Sequence, residues 1–394
     1  VAFFREKKMK QTIKHTLAVL LAVALGQAAV ADTQGVTDTE IVFGSVNDLS
    51  GIFAAVGVPA VNGANLRFKQ ANDAGGVHGR MLKFVVEDHG YQLPRAMQGY
   101  NKLLNRDKVF AMILSLGTPM NIAGFRLLDP KGIPNISPLS AATAMLAEPM
   151  HNKFIGFSSY YDQATAGVSF LADEFSLKNV CSMYLPSDFG KEIVAGAKNA
   201  AEAKGLNFAA ETTHKGDEAD FVGSLSKLKA SECEIVVLAL GVRQAITVVG
   251  TAKKMGLSGM KFLNTSAGFL SVVAQVPGGI TDGLYASSGW KDLGARADEA
   301  VPAKFIAEYT AEYGKAPGGF AMLGYSAADQ TVRALEAAGK DLTTDSFIAG
   351  METLDYMDYL TGNYMSYSKD NHKGADAIII SVVADGGWKV VSEK

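Results

Sequence analysis

Ile235-Val236-Val237-Leu238-Ala239-Leu240 is an unbroken apolar run, with Glu234 before it and Gly241 after it. A half-exposed strand would alternate apolar and polar side chains, so a short continuous run closed by glycine predicts a parallel strand covered on both faces. Parallel neighbours need crossover connections, usually helices. The surrounding sequence supplies that pattern. Strands are predicted at Asn179–Leu185, Leu206–Thr212, Glu234–Leu240, Lys261–Thr265 and Leu284–Ser288, with amphipathic helical stretches between them.

The same grammar occurs earlier, with strands predicted at Glu40–Val46, Leu82–Glu87, Val109–Leu114, Ile133–Ser137 and Lys153–Phe157. In the first helix of that half, Val61, Ala64, Phe68 and Ala71 fall on one stripe, and Ala74-Gly75-Gly76 supplies the stop. Alternating strands and helices in two blocks predict an α/β protein of two doubly wound parallel-sheet lobes. Beyond Trp290 come predicted helices at Val301–Tyr313, Phe320–Ala337 and Thr343–Met351, then strands at Tyr364–Tyr367 and Ala377–Ala384. These segments are expected to complete the two sheets, so the chain crosses between lobes more than once.

Composition excludes several classes. The 394 residues include 37 basic and 40 acidic side chains, a formal charge of -3 that argues against a nucleic-acid binder. The most apolar stretch, Leu17–Leu25, is about half the length of a bilayer span. Lys7, Lys8, Lys10 and Lys14 precede it and Ala29-Val30-Ala31 follows, which together read as a signal peptide over residues 1–31 with Met9 as its natural start. No cysteine follows the cleavage site, so export without a lipid anchor, to the periplasm, is expected. That segment holds five basic residues and one acidic, leaving 32 basic against 39 acidic and a net charge of -7.

The sequence contains no G-x-G, no G-K followed by Ser or Thr, no H-E-x-x-H and no G-x-S-x-G. No two of His15, His78, His89, His151, His214 and His372 stand three or four residues apart. Neither an enzyme nor a metal or cofactor site is expected.

Asn72-Asp73-Ala74-Gly75-Gly76-Val77-His78-Gly79-Arg80, followed by Leu82-Lys83-Phe84-Val85-Val86-Glu87-Asp88, resembles the N-I-N-A-A-G-G-V-x-G-R-K-I-E-L-V-V-E-D block of periplasmic solute-binding proteins of ABC importers, branched-chain amino-acid type. The resemblance continues through Asn47-Asp48-Leu49-Ser50-Gly51, Gly132–Pro138, Ser187-Asp188-Phe189-Gly190 and Asp220-Phe221, and spans about residues 38–394. It implies two α/β lobes joined by three hinge crossovers, residues 38–157 with 287–363 and 158–286 with 364–394. A ligand would be clamped between them, and the partner would be the subunits of an ABC permease. A monomer is expected.

By the same resemblance, Thr118 in Leu116-Gly117-Thr118-Pro119 would bind a ligand carboxylate through hydroxyl and backbone, though an N-cap alone would also account for it. Leu139 and Ser140 would add contacts, or simply pack a turn. Tyr160, Phe189, Tyr325 and, more weakly, Tyr91 resemble aromatic cleft walls, with core packing as the alternative. Phe189 stands where amino-acid receptors usually have Tyr and so offers no hydroxyl. Those receptors also carry a Glu, paired with the ligand ammonium, where this chain has Asn264-Thr265-Ser266-Ala267. Burying an ammonium without a counter-charge is costly. The expected ligand is therefore a carboxylate without a free amine, an aromatic or short organic acid. A hydrophobic amino acid or an amide remains the alternative. Arg243 is either a partner for that carboxylate or a solvated charge. Within this frame Cys181 and Cys233 lie on adjacent strands of the second lobe, close enough to be bridged.

Overall fold

The computed structural model describes residues 33–393, so the predicted signal peptide lies outside the described residues. β1 (Glu40–Asn47) and β2 (Met81–Asp88) pair in parallel from Glu40 opposite Met81 to Asn47 opposite Asp88. β3 (Ala111–Ile113), β4 (Asn135–Ile136) and β5 (Lys153–Phe154) extend the sheet on the other side of β1, giving the order β2-β1-β3-β4-β5, all parallel. A second sheet repeats this order in β6 (Asn179–Tyr184), β7 (Asn207–Thr213), β8 (Ile235–Ala239), β9 (Lys261–Asn264) and β10 (Tyr285–Ser288), arranged β7-β6-β8-β9-β10. The apolar hexapeptide supplies β8, every residue of it buried between β6 and β9.

The late helices belong with the first sheet. Phe347, in Thr344–Glu352, meets the ring of Phe110 at 5.3 Å, and Phe110 in turn meets Phe43 of β1 at 6.1 Å. Gly319–Ala338 lies along Ala54–Asp73 so closely that a Cβ on Gly63 would stand 2.0 Å from the Ala321 carbonyl oxygen. One on Gly324 would stand 1.9 Å from that of Ala60. Glycine at both positions is what lets the two backbones meet.

One expectation about the tail is corrected. Tyr364–Tyr367 completes neither sheet; as β12 (Asn363–Ser366) it forms a separate antiparallel hairpin with β11 (Asp355–Asp358), a strand the sequence reading passed over. Asp358 accepts N–H bonds from Leu360 at 2.9 Å and Thr361 at 3.3 Å, a turn stabilised by a side chain rather than by strand periodicity. Ala377–Ala384 becomes β13 (Ile379–Ala384), antiparallel to β10 and joined by β14 (Gly387–Glu393) at the edge of the second sheet. The chain thus passes between the sheets three times, after β5, β10 and β12.

Cys181 in β6 and Cys233 just before β8 form a disulfide, with Cα atoms 5.8 Å apart. The β6–β8 register, Val180 opposite Ile235 and Cys181 opposite Val236, brings them together.

Candidate ligand-binding cleft

Loops at the carboxyl ends of parallel strands converge on one cleft. Phe53 and Val56 follow β1, Tyr91 follows β2, Leu116, Gly117 and Thr118 follow β3, Leu139 and Ser140 follow β4, and Phe157 and Tyr160 follow β5. From the second sheet come Phe189 after β6, Ser266 and Ala267 after β9, and Trp290 after β10; Phe320 completes the wall from the helix Gly319–Ala338. Ligand sites of open α/β sheets lie at such strand ends, where strand order reverses.

The walls are an aromatic lattice. Phe53 meets Tyr91 at 4.7 Å and Phe189 at 5.6 Å, and Phe189 meets Tyr160 at 5.4 Å. Trp290 meets Phe157 at 5.3 Å and Phe320 at 5.8 Å. Against these surfaces stand a few buried polar groups. The Thr118 and Ser140 hydroxyls are 2.8 Å apart, and Ser140 Oγ also accepts the Ala142 N–H at 3.3 Å. Ser266 is held from behind, its N–H donating to Gln163 Oε1 at 2.9 Å.

Five helices begin at this cleft. Val56, Thr118, Tyr160, Phe189 and Phe320 lie in the first turns of Ala54–Asp73, Thr118–Leu128, Tyr160–Phe175, Asp188–Lys204 and Gly319–Ala338. Each N-terminus presents the positive end of a helix dipole, which favours negative charge. Among the described residues that line the cleft, none is charged. Burial pushes the phenols of Tyr91 and Tyr160 well above their usual range, so both remain neutral donors. Close by, the Asp48 carboxylate is buried and accepts the N–H groups of Gly51 at 2.5 Å and Phe53 at 2.8 Å, which fixes the loop carrying Phe53.

Gly117 has φ of 102°, a region that L side chains rarely adopt, and a Cβ there would stand 2.9 Å from Met120 Sδ and 3.2 Å from Tyr91 Cε2. Behind Tyr91, buried His89 accepts the Tyr91 N–H on Nδ1 at 2.9 Å; the proton therefore sits on Nε2, which donates to the Leu116 carbonyl at 3.1 Å. Desolvation by burial depresses the His89 pKa despite the nearby Asp48. The unfolded chain, with an ordinary value of about 6.5, therefore takes up this proton first as pH falls. Stability contributed by neutral His89 is full above about pH 6.5 and is lost on acidification. Melting curves between pH 7.5 and 5 are expected to show that loss in the parent and less of it in His89→Gln. An NMR titration finding His89 charged at neutral pH would refute this.

Eight of the residues singled out from sequence share this cleft: Gly117, Thr118, Leu139, Ser140, Tyr160, Phe189, Ser266 and Tyr91. Two do not. Arg243 is exposed and lines a separate groove with Ser50, Gly51 and Ile52, because Gln244, not Arg243, turns inward to accept the Gly241 N–H at 3.0 Å. Tyr325 does not open its helix; it sits in the second turn, packed 5.1 Å from Phe305, with its hydroxyl donating to Gln70 Oε1 at 2.7 Å. Phe53, Val56, Leu116, Phe157, Ala267, Trp290 and Phe320 were missed. Position was the available signal for Phe53 and Trp290, which each follow shortly after a strand predicted to be parallel.

Two doubly wound sheets with a shared cleft at their strand ends define a two-lobed α/β ligand-binding protein. The profile of the periplasmic binding protein family matches residues 40–387, and the chain belongs to that family, with its type I fold. It is 24% identical over 281 residues to the leucine-, isoleucine-, valine-, threonine-, and alanine-binding protein of Pseudomonas aeruginosa, covering 71% of this chain and 73% of that one. Its structure is similar to the fatty acid ABC transporter substrate-binding protein from Thermomonospora curvata, with TM-score 0.82, 27% identity and coverage of 93% and 95% of the two chains. It is also similar to a branched chain amino acid ABC transporter from Thermus thermophilus with bound valine, with TM-score 0.81, 21% identity and coverage of 91% and 97%. Proteins of this family are extracytoplasmic solute receptors that work with ABC permeases. Among the described residues no helix is long and apolar enough to cross a membrane.

Proposed function

We propose that this receptor captures a small carboxylate-bearing molecule without a free amine, an aromatic or short organic acid, and delivers it to its permease. The observation that carries this reading is the convergence of five helix N-termini on a cleft whose described lining holds no charged side chain. That field stabilises an anion and opposes a cation. An α-amino acid would bring an ammonium into an aromatic enclosure with no carboxylate to meet it, and such burial is strongly unfavourable. Thr118 and Ser140 would hold the carboxylate, and Phe53, Tyr91, Tyr160, Phe189, Trp290 and Phe320 the apolar body. The similarity to a structure named for fatty acid transport supports a ligand of this charge. Within the same reading, residues 1–31 direct export to the periplasm. Lobes of residues 38–157 with 287–363 and 158–286 with 364–394 close on the ligand as a monomer.

Calorimetric titration with matched pairs tests the ligand class: leucine against its keto acid, and phenylalanine against 3-phenylpropanoate. The acids are expected to bind and the amino acids to bind at least about tenfold more weakly, a difference of about 1.4 kcal/mol. Tight binding of the amino acids alone would overturn the proposal in favour of a hydrophobic amino-acid receptor.

A further inference from the structure

Behind the cleft lies a second chamber, and the two share Leu139, Phe157 and Trp290 as a common wall. Its chemistry differs from that of the first. The chamber is floored by the ends of β3, β4 and β5 at Leu114, Ser137 and Gly156, and roofed by the late helix and the β11–β12 hairpin. That hairpin brings the carboxylate of Asp358 into the lining, and the helix brings Ser326 and Gln330.

Most of these polar groups are already engaged. Ser137 Oγ donates to Gln330 Oε1 at 2.8 Å, Gln330 Nε2 donates to the Tyr367 hydroxyl, and Asn363 Nδ2 donates to the Gly289 carbonyl at 2.6 Å. Ser326 Oγ and Trp290 Nε1 are the exceptions: both atoms are buried and have no hydrogen-bond partner among the described residues. A buried hydroxyl left without a partner costs about 1–3 kcal/mol, so such an atom calls for an occupant that satisfies it. Asp358 keeps acceptor capacity beyond the two backbone N–H groups it holds, since a carboxylate offers about four lone-pair sites.

The two chambers abut through Leu139, Phe157 and Trp290, so an occupant of the first lies against the second. We propose that the second chamber receives the far end of the same ligand. The substrate class is then an elongated carboxylate bearing a hydrogen-bond donor, such as a hydroxyl, at its other end. This rests on the carboxylate reading above: the acid sits at Thr118, the apolar body passes Leu139, Phe157 and Trp290, and the terminal donor reaches Asp358 and Ser326.

The test is calorimetric titration of the purified protein with unbranched carboxylic acids of five to ten carbons, each compared with its ω-hydroxy counterpart. The terminal hydroxyl is expected to strengthen binding at least about tenfold at one or two chain lengths and to do nothing for the shortest. Ser326→Leu, which adds bulk in the second chamber, is expected to remove that gain while leaving pentanoate binding within about twofold. Ser326→Ala, which adds no bulk, is expected to reduce the gain severalfold, so the proposal does not depend on the leucine variant folding. A hydroxyl without effect at every length would overturn the second chamber and leave the carboxylate reading standing. Equal losses for pentanoate and the long acids in Ser326→Leu would overturn it too. Methyl esters that bind as tightly as the hydroxy acids would support the second chamber while removing the carboxylate reading.

Discussion

Thr118→Val is expected to weaken binding of a carboxylate ligand about 10- to 150-fold, the equivalent of the 1.5–3 kcal/mol carried by a hydrogen bond to a charged group. The direction of the local hydrogen bonds gives the reason. Ser140 Oγ accepts the Ala142 N–H and lies 2.8 Å from Thr118 Oγ1, so the Ser140 proton is free to go to Thr118 and the Thr118 proton to the cleft. Such a chain polarises its last donor, and valine removes that donor while leaving the helix N-terminus in place. Ser140→Ala, which removes only the preceding link, is expected to cost less. Thr118→Ser restores the hydroxyl and is expected to restore most of the affinity. Calorimetry measures all three, with thermal melting as the control for folding. Unchanged affinity in Thr118→Val would leave Thr118 without a ligand role, and without the N-cap role either, since the N-cap is Gly117 and no side chain caps this helix.

The second large effect concerns stability. The Cys181–Cys233 bridge closes a loop with a sequence separation of 52, and both residues are buried. Constraining a loop of that length removes denatured-state entropy equivalent to about 4 kcal/mol in the chain-entropy description. The double variant Cys181→Ala/Cys233→Ala is expected to lose about that much, with a fall in melting temperature of about 5 °C. Reduction should reproduce the loss in the parent and have no effect on the variant. The bridge ties β6 to the segment entering β8 and leaves the strand ends facing the cleft untouched, so ligand affinity at 25 °C is expected to persist. Denaturant melts with and without reductant, followed by titration of the folded variant, measure both. An unaltered midpoint after complete reduction would refute the assignment.

How far the site was legible follows from how its parts are encoded. Thr118, Ser140, Phe189 and Ser266 were identifiable through the family resemblance, which matches the loops after successive strands, and the strands announce themselves by apolar runs. Arg243 and Tyr325 were misplaced. Both are near strand or helix starts in sequence, but the inward-facing position depends on rotation about a helix axis. Gln244 rather than Arg243 took the inward position, and Gln70 offered Tyr325 a partner away from the cleft. Phe320 was readable as part of an apolar helical stripe, and nothing local distinguished a ring facing the cleft from one facing the core.

The proximity of the two cysteines was an expectation from the family resemblance; by itself the sequence determined the two parallel sheets and the crossover helices. These follow from local periodicity and from topological rules that act between neighbouring elements. Only the tertiary structure decided that aromatic residues from both sheets close into one lattice, that the β11–β12 hairpin stands apart, and that a second chamber with Asp358 and Ser326 lies behind Trp290. Those outcomes depend on which side chains meet across long stretches of chain. Packing of that kind selects partners by shape and by the need to pair buried polar groups, neither of which leaves a periodic trace along the sequence.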